Sequence, residues 1–473
     1  MQTRAHRTAP AIGVPRADAA TRKGLRVFAM QYKQDVSAVA TYDTFRHRID
    51  CMIRDYVEPN RSTSVPNLVV FNEDIGLATI ATGSRGASAR AFAASPAGGG
   101  LGDQGPAPAA AAEALGLVNA GYAREVAYYR SKFPGVDPRK QVFLAATDTF
   151  ARGFSQTFSD LARQYNVYIV AANNQADFVE SHDPADIAAL ADPDLAAQYA
   201  SGALDSVYVA TGPNVWNQVF LWGPNTVDPN ATPPMRNMLF QNKKVPLTSI
   251  EKDFIGLDEG PATGPDAGPN IGPVNIPGTA AQLGFATSLP AFVYGYRFGG
   301  SLPAGTDPCA DTSQTYMPCM DARGANVVIQ DEANPGRWAT PGGTPAWQPL
   351  DWMGSAWRAV ADPATHFRYA VCPHMVGNLL DLAFDGQTAI TSRDGGNAPA
   401  DYVGDDTYVA AEDGADPPSY AGKKDQFLAL APWVIDTNDR ATLRAVGARL
   451  APGSGDPLEN DYLETAVWAD LVF

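Results

Sequence analysis

The stretch NLVVFNEDIG (residues 67–76) places a carboxylate directly after a short apolar run. A continuous apolar run of this length predicts a strand that is covered on both faces. Two later segments have the same form, LFQNKK (residues 239–244) and FRYAVC (residues 367–372). Each ends in a side chain that can take part in chemistry. The three candidates, in chain order, are Glu73, Lys244 and Cys372.

Strands alternate with helices on both sides of these segments. Residues 25–32 and 167–172 are apolar runs that predict buried strands, and apolar residues at helical spacing predict helices over 41–57, 122–133 and 147–165. We also expect a hairpin formed by residues 206–211 and 218–222, and a helix over residues 379–384. This alternation predicts a layered α/β fold whose site lies beyond the carboxyl ends of the strands.

Two regions depart from the alternation. Residues 84–124 begin with a stretch rich in Ala, Gly, Ser and Pro, and residues 256–361 are rich in Gly and Pro with few periodic patterns. We interpret both as insertions into a single domain spanning residues 25–473, and residues 1–24 as a loose N-terminal arm without the apolar segment of a secretory signal. The insertions are expected to shape a lid or a substrate cleft, or to cover an oligomer surface. Their aromatic residues either line that cleft or pack the insertion's own core: Tyr294, Tyr296, Phe298, Trp338, Trp347, Trp352 and Trp357.

Composition excludes several classes of partner. The 473 residues carry a formal net charge of −16, which disfavours binding to nucleic acid and to anionic membranes. No run approaches the roughly 18 apolar residues of a membrane-spanning helix. The cysteines and histidines lack the spacing of a metal site, so neither a metal nor an organic cofactor is predicted. Cys309 and Cys319 either form a local disulfide, which favours an oxidising compartment and export over the cytoplasm, or remain free.

The order of Glu73, Lys244 and Cys372 resembles the catalytic triad of the nitrilase (carbon–nitrogen hydrolase) superfamily. The segment NKKVPLTSIEKDFIGLDEG (residues 242–260) resembles the family's Arg-Lys-x-x-Pro-Thr-x-x-Glu run, in which the second basic residue is catalytic. Lys244 matches that residue, and Glu251 matches the family's accessory glutamate. The segment RYAVCPHMVGNLLDLAFDGQTAITS (residues 368–392) is similar to the family's strand, cysteine, turn and helix. The fold that the resemblance implies is a four-layer α-β-β-α sandwich, with long Gly/Pro-rich insertions here.

The resemblance also implies an activity. Cys372 would attack a non-peptide carbon–nitrogen bond and form a thioester, an amide being favoured over a nitrile. Glu73 would carry the proton, Lys244 would stabilise the oxyanion, and Glu251 would hold the lysine. The implied partner is a small-molecule amide or nitrile, and the family commonly forms homo-oligomers.

Pro373 and His374 depart from the aromatic and acidic residues that usually follow the family's cysteine. His374 either contacts the substrate or tunes the thiolate, or it is a local polar or structural residue. Three alternatives to the hydrolase stay open. The first is a catalytically silent protein of this fold that binds a ligand or serves a structural role. The second is an N-acyltransferase that uses the same thioester, and the third is a secreted protein that binds carbohydrate or a surface.

Overall fold

The computed structural model describes residues 7–99, 109–336, 348–396, 426–432, 445–446, 449–450 and 452–473. Trp338, Trp347 and the side chain of Trp352 lie outside this description.

The strands are β1 (Arg7–Thr8), β2 (Ile12–Val14), β3 (Leu25–Gln31), β4 (Asn67–Val70), β5 (Tyr168–Gln175), β6 (Phe178–Ser181), β7 (Val207–Ala210), β8 (Trp216–Trp222), β9 (Met238–Lys243), β10 (Val274–Asn275), β11 (Gln282–Phe285), β12 (Val327–Ile329), β13 (Tyr369–Cys372), β14 (Gly377–Leu379), β15 (Leu382–Phe384), β16 (Ala389–Ser392), β17 (Phe427–Leu430) and β18 (Leu463–Leu471).

The α-helices are α1 (Tyr42–Met52), α2 (Ala87–Ala93), α3 (Pro96–Gly99), α4 (Ala109–Gly121), α5 (Ala123–Lys132), α6 (Gln141–Ala145), α7 (Thr147–Phe150), α8 (Gln156–Tyr165), α9 (Pro184–Leu190), α10 (Pro193–Ala196), α11 (Ala267–Ile271), α12 (Thr312–Ala322) and α13 (Gln348–Ala361). Wider helical turns cover Ile53–Val57, Ala151–Ser155 and Ile250–Ile255, and tighter turns cover Val36–Val39, Glu58–Asn60, Leu77–Ala81, Pro138–Lys140, Pro233–Met235 and Leu289–Phe292.

The strands form two main sheets in the described part of the chain. Sheet one has the order β1-β18-β3-β4-β5-β8-β9, with β2 also paired to β18, and its central strands β3, β4 and β5 are parallel. Sheet two has the order β10-β11-β12-β13-β16-β17, and β11, β12 and β13 are parallel. In each sheet the carboxyl ends of the parallel strands therefore lie at one edge.

The two sheets and the helices that cover them form four layers. Alternate residues of β4 and β5 pack against alternate residues of β11, β12 and β13, which makes a core between the sheets. The other face of sheet one packs against α1, α5 and α8, and the other face of sheet two packs against α12 and α13. The layer order is helix, sheet, sheet, helix, and the predicted α/β fold is confirmed.

The supposed insertion over residues 256–361 contains part of this framework. It carries β11 and β12, two neighbouring strands of sheet two, and the helices α12 and α13 that cover that sheet. The insertion was predicted because strands of three or four residues between Gly/Pro-rich turns are too short to show a period. The N-terminal arm is also less loose than expected, since β2 pairs with β18.

Two local predictions are wrong. Strand β7 pairs with β6, whereas β8 lies between β5 and β9, so residues 206–211 and 218–222 do not form a hairpin with each other. Residues 379–384 belong to the hairpin of β14 and β15, in which Leu380 adopts a positive φ of 59°. Tertiary pairing decides both cases, because short apolar runs specify no partner and no period.

Cys309 and Cys319 form a disulfide, which was one of the two predicted alternatives. None of the helices in the described residues has the length and apolar character that a membrane span needs.

Candidate active site

Three segments of sheet one bring polar side chains to the same edge. Glu73 follows β4, Asn217 is the second residue of β8, and Lys244 follows β9. Strand β8 runs antiparallel to both β5 and β9, so its beginning lies beside the end of β9, and the backbone N–H of Lys244 donates to the carbonyl of Asn217 at 2.9 Å. The alternation of strand direction thus places residues from distant parts of the sequence in contact.

The side chains at this edge form a buried charged cluster of Glu73, Lys244 and Glu251. Lys244 Nζ lies 2.7 Å from Glu73 Oε1 and 2.9 Å from Glu251 Oε2. Asn217 Nδ2 donates to both carboxylates at 2.7 Å, and Thr248 donates to Glu251 Oε2 through its backbone N–H and its hydroxyl. The Glu73, Lys244 and Glu251 side chains are buried, so this hydrogen bonding replaces their hydration.

The two carboxylates have different acidities. Burial raises the pKa of Glu73, and Lys244 opposes that shift only in part. Burial also acts to raise the pKa of Glu251, but Lys244 and the Thr248 hydrogen bonds hold it below its usual value. Burial disfavours the charged lysine, but both carboxylates raise the Lys244 pKa above its ordinary range. Glu73 is therefore the weaker acid of the two carboxylates that contact Lys244.

Lys244 and its neighbour Lys243 have different environments. Lys243 Nζ lies 2.7 Å from Asp177 Oδ2 and stacks over the ring of Trp216. Of these two lysines, Lys244 is the one that enters the cluster.

The structure does not bring Cys372 to this cluster, which corrects the predicted triad. Alternate residues of β13 face opposite sides, and Cys372 points with Ala370 into the core beneath the helices of sheet two. The hydrogen-bonding partner of its thiol among the described residues is Gln330, with Sγ 3.7 Å from Oε1. Burial, and then Glu332 and Asp331, raise the pKa of the thiol well above its usual value. Cys372 is thus a buried thiol whose surroundings disfavour the reactive thiolate.

His374 is also buried away from the cluster. Its backbone N–H donates to Thr388 Oγ1 at 3.0 Å, and its ring lies against the carbonyl of Met375. Burial lowers the pKa of the imidazole to about 4. His374 is not among the described residues that line the cavity around Glu73.

The carboxyl edge of sheet two meets the cluster through a turn after β12. The backbone N–H of Ala333 donates to Glu73 Oε2 at 3.1 Å, and the next residue, Asn334, accepts a hydrogen bond of 2.6 Å from the hydroxyl of Ser288. Ser288 follows β11 and is buried. Sequence reasoning missed Asn217, Ser288 and Asn334, because a single polar residue near the end of an apolar run carries no distinguishing pattern.

Three further buried acids surround this edge. Burial is the main cause that raises the pKa of Asp74 and of Glu332 well above the usual value, and Glu73 adds to the shift of both. Burial and Glu73 also raise the pKa of Asp331 to about 7. Among the described residues, no set of three or more His, Cys, Asp and Glu side chains is arranged to hold a metal ion.

A cavity of about 460 Å³ opens beside the cluster. Glu73, Lys244 and Glu251 line it, together with Asn334. Most of the other lining side chains are apolar and come from the segment after Glu73, from α4 and from the β14–β15 hairpin, for example Leu77, Ile80, Leu115, Val118, Leu382 and Phe384. The region 84–124, predicted to shape a cleft, thus supplies part of this wall.

No family model matches the chain, and no curated protein matches it. Among solved structures, it is similar to an amidase variant from Nesterenkonia sp. AN1 with acrylamide added to its active-site cysteine, at 13% identity and a TM-score of 0.36, covering 78% of this chain and 85% of that chain. It is also similar to a cysteine variant of the Nesterenkonia AN1 amidase from the nitrilase superfamily, at 14% identity and a TM-score of 0.38, covering 80% and 85%. A complex of the same amidase with butyramide matches at 12% identity and a TM-score of 0.34, covering 79% and 85%. These matches at low identity are similarities of fold alone.

Proposed function

We propose that this chain is a hydrolase of non-peptide carbon–nitrogen bonds, and that its substrate is an amide with an apolar acyl group. The observation that carries the proposal is the buried cluster of Glu73, Lys244 and Glu251 in the wall of an apolar cavity. A cavity of about 460 Å³ is in the range of small-molecule sites, which is about 300–1,000 Å³.

Each member of the cluster has a chemical role in this proposal. Lys244 provides a fixed positive charge for the oxyanion that develops when the amide carbonyl is attacked. Glu73 takes the proton of the attacking group and returns one to the leaving amine, which its raised pKa supports. Glu251 holds the lysine and keeps the cluster from carrying an uncompensated cation.

The substrate class follows from the walls of the cavity. Apolar side chains from three segments surround the charged cluster, and an acyl chain would bury its own apolar surface there. Amides are favoured over nitriles because Lys244 is placed as a donor for a carbonyl-derived oxygen. The butyramide complex of the amidase from Nesterenkonia is consistent with an aliphatic amide as ligand for a protein of similar fold.

The test measures amine or ammonia release from aliphatic and aromatic amides and nitriles. The wild type is compared with Glu73→Gln, which keeps the shape of the side chain and removes its proton exchange. The matched control is Glu259→Gln, at an exposed glutamate. We expect release by the wild type and by the control, and a loss of about 10²–10⁴-fold in Glu73→Gln. No release from any substrate, or full activity in Glu73→Gln, would refute the proposal.

A catalytically silent binding protein is the second candidate, and the position of Cys372 in the core favours it. A silent protein would bind apolar amides without turning them over. Calorimetric binding of an amide that remains intact after prolonged incubation supports this second candidate. Acyl transfer is separated from hydrolysis by adding a primary amine and identifying the product.

A further inference from the structure

We propose that Ser288 is the nucleophile of this site. The inference rests on the proposed function and replaces the cysteine that the sequence motif suggested.

The backbone of Ser288 is in a conformation that L-residues rarely adopt. Its φ is 55° and its ψ is −117°, values that ordinarily occur at glycine. Strand β11 ends at Phe285, and the helical turn Leu289–Phe292 begins directly after Ser288. A serine on a sharp, strained turn between a strand and a helix is the arrangement that exposes a nucleophilic hydroxyl at the carboxyl edge of a sheet. Strain of this kind persists where the surrounding structure imposes it, and it clusters at active sites.

Contacts on both sides impose the conformation. The backbone N–H of Ser288 donates to the carbonyl of Asp331 at 3.1 Å, and its own carbonyl accepts from Ala291 at 3.0 Å. The hydroxyl of Thr287 donates to Asp331 Oδ1 at 2.8 Å. The neighbouring strand end therefore holds the turn, and the hydroxyl of Ser288 is left to bond Asn334.

The same turn connects Ser288 to the charged cluster. Asn334, which accepts the hydrogen bond from the Ser288 hydroxyl, lines the cavity together with Glu73 and Lys244. The preceding residue, Ala333, donates its backbone N–H to Glu73 Oε2. Two consecutive residues thus bond the serine on one side and the proposed base on the other. Cys372 lies in a regular strand and faces the helices, and among the described residues it makes neither of these contacts.

The reaction balances with these groups. The Ser288 oxygen forms a bond to the amide carbonyl carbon, its proton passes to the Glu73 carboxylate, and the carbonyl electron pair moves to the oxygen beside Lys244. When the intermediate collapses, the carbon–nitrogen bond breaks and the amine leaves with the proton from Glu73. Water, deprotonated by Glu73, then attacks the ester, and its proton returns to the Ser288 oxygen. The products are an amine and a carboxylic acid.

The test uses Ser288→Gly, Ser288→Cys and a matched control. Glycine adopts the strained conformation at no steric cost, so Ser288→Gly is expected to fold with an unchanged or higher thermal midpoint. The control is Ser159→Ala, because Ser159 is also buried and its hydroxyl also donates to an asparagine oxygen, that of Asn237, at 2.6 Å. Ser159 lies within the regular helix α8.

Two readouts are measured on each protein, namely amide hydrolysis and covalent labelling by a fluorophosphonate located by peptide mass spectrometry. We expect an adduct at Ser288 in the wild type and in Ser159→Ala, and a loss of hydrolysis of about 10³-fold or more in Ser288→Gly. In Ser288→Cys, the new thiol is expected to react with iodoacetamide faster than Cys372.

The outcomes separate the two proposals. Hydrolysis that persists in folded Ser288→Gly would overturn the role of Ser288 and leave the hydrolase proposal standing. An adduct at Ser288 without turnover of any amide would support the nucleophile and overturn the proposed hydrolysis. An absence of labelling at Ser288, together with slow alkylation of Ser288→Cys, would overturn the nucleophile.

Discussion

Lys244 Nζ lies 2.7 Å from Glu73 Oε1, although 171 residues separate the two in the sequence. Both side chains are buried, so the pair lies in a medium where an unpaired charge costs several kcal/mol. A second carboxylate, that of Glu251, also forms an ion pair with the Lys244 ammonium group. The cluster is therefore both the proposed catalytic centre and a junction that joins β4, β9 and the turn after β9.

Replacement of Lys244 by methionine is expected to abolish amide hydrolysis and to destabilise the fold by about 3–5 kcal/mol, because two buried carboxylates lose their counter-charge. Urea unfolding followed by circular dichroism gives the free energy, and product release gives the activity. The control is Lys252→Met, at an exposed lysine of the same segment. An equal free energy of unfolding for Lys244→Met and the control would contradict the stabilising role of the buried ion pair.

Asp331 is expected to make stability depend on pH. Its pKa is raised from 3.8 to about 7 in the folded protein, so between these values the folded state binds more protons than the unfolded state. The contribution of Asp331 is fully present below about pH 4 and is lost as the pH rises to about 7. Asp331→Asn should therefore reduce the fall in thermal midpoint between pH 4 and 7. Asp394→Asn, at an exposed aspartate, serves as the control. If the thermal midpoint of Asp331→Asn falls with pH as steeply as that of the wild type, Asp331 is not the cause of the pH dependence.

Cys372 is expected to alkylate slowly in the native protein, since its thiol is fully buried and burial raises its pKa. Cys51 is partly exposed and provides an internal reference in the same chain. Iodoacetamide followed by peptide mass spectrometry should find Cys51 modified first. Cys372→Ala should keep amide hydrolysis near the wild-type rate and lose about 1 kcal/mol of stability. Fast alkylation of Cys372, with activity lost in Cys372→Ala, would restore the cysteine nucleophile.

The apolar cavity predicts a preference for longer acyl chains. Each methylene group that enters the cavity contributes up to about 0.8 kcal/mol, so kcat/KM should rise by up to roughly fourfold per carbon until the cavity is full. Ala78→Phe, in the cavity wall, should remove the preference for octanamide over butyramide and leave kcat/KM for acetamide unchanged. The control is Ala188→Phe, at an exposed position of α9. A flat dependence on chain length in the wild type would speak against an acyl chain as occupant.

The disulfide of Cys309 and Cys319 is expected to stabilise the folded state by about 3 kcal/mol, the value that chain entropy assigns to a closed loop of about ten residues. A Cys309→Ala/Cys319→Ala variant should unfold at lower urea concentration than the wild type, and a reductant should have no further effect on it. Cys51→Ala is the control, and an identical midpoint for all three proteins would mean that the bond contributes nothing.

The cluster was predictable because its members stand in sequence motifs with a strong local form. Glu73 follows four buried residues of β4, and Lys244 and Glu251 belong to a single short segment. Residues 256–361 were not predictable as framework, since nothing in the short apolar runs of β11 and β12 specifies which strands they pair with. The pairing of those strands, rather than their periodicity, identifies them as part of a sheet.

The sequence by itself determined the α/β class, the main strands of sheet one and the identity of the charged residues at their ends, because continuous apolar runs form buried strands whatever their neighbours are. Only the tertiary structure decided towards which layer Cys372 faces and which contacts Ser288 makes. A cysteine at the end of an apolar run has the same local pattern in a core as in an active site, and the alternation of β13 turns Cys372 towards the helices. The conformation of Ser288 depends on hydrogen bonds with Asp331 and Asn334, more than forty residues away, and no local pattern encodes such contacts.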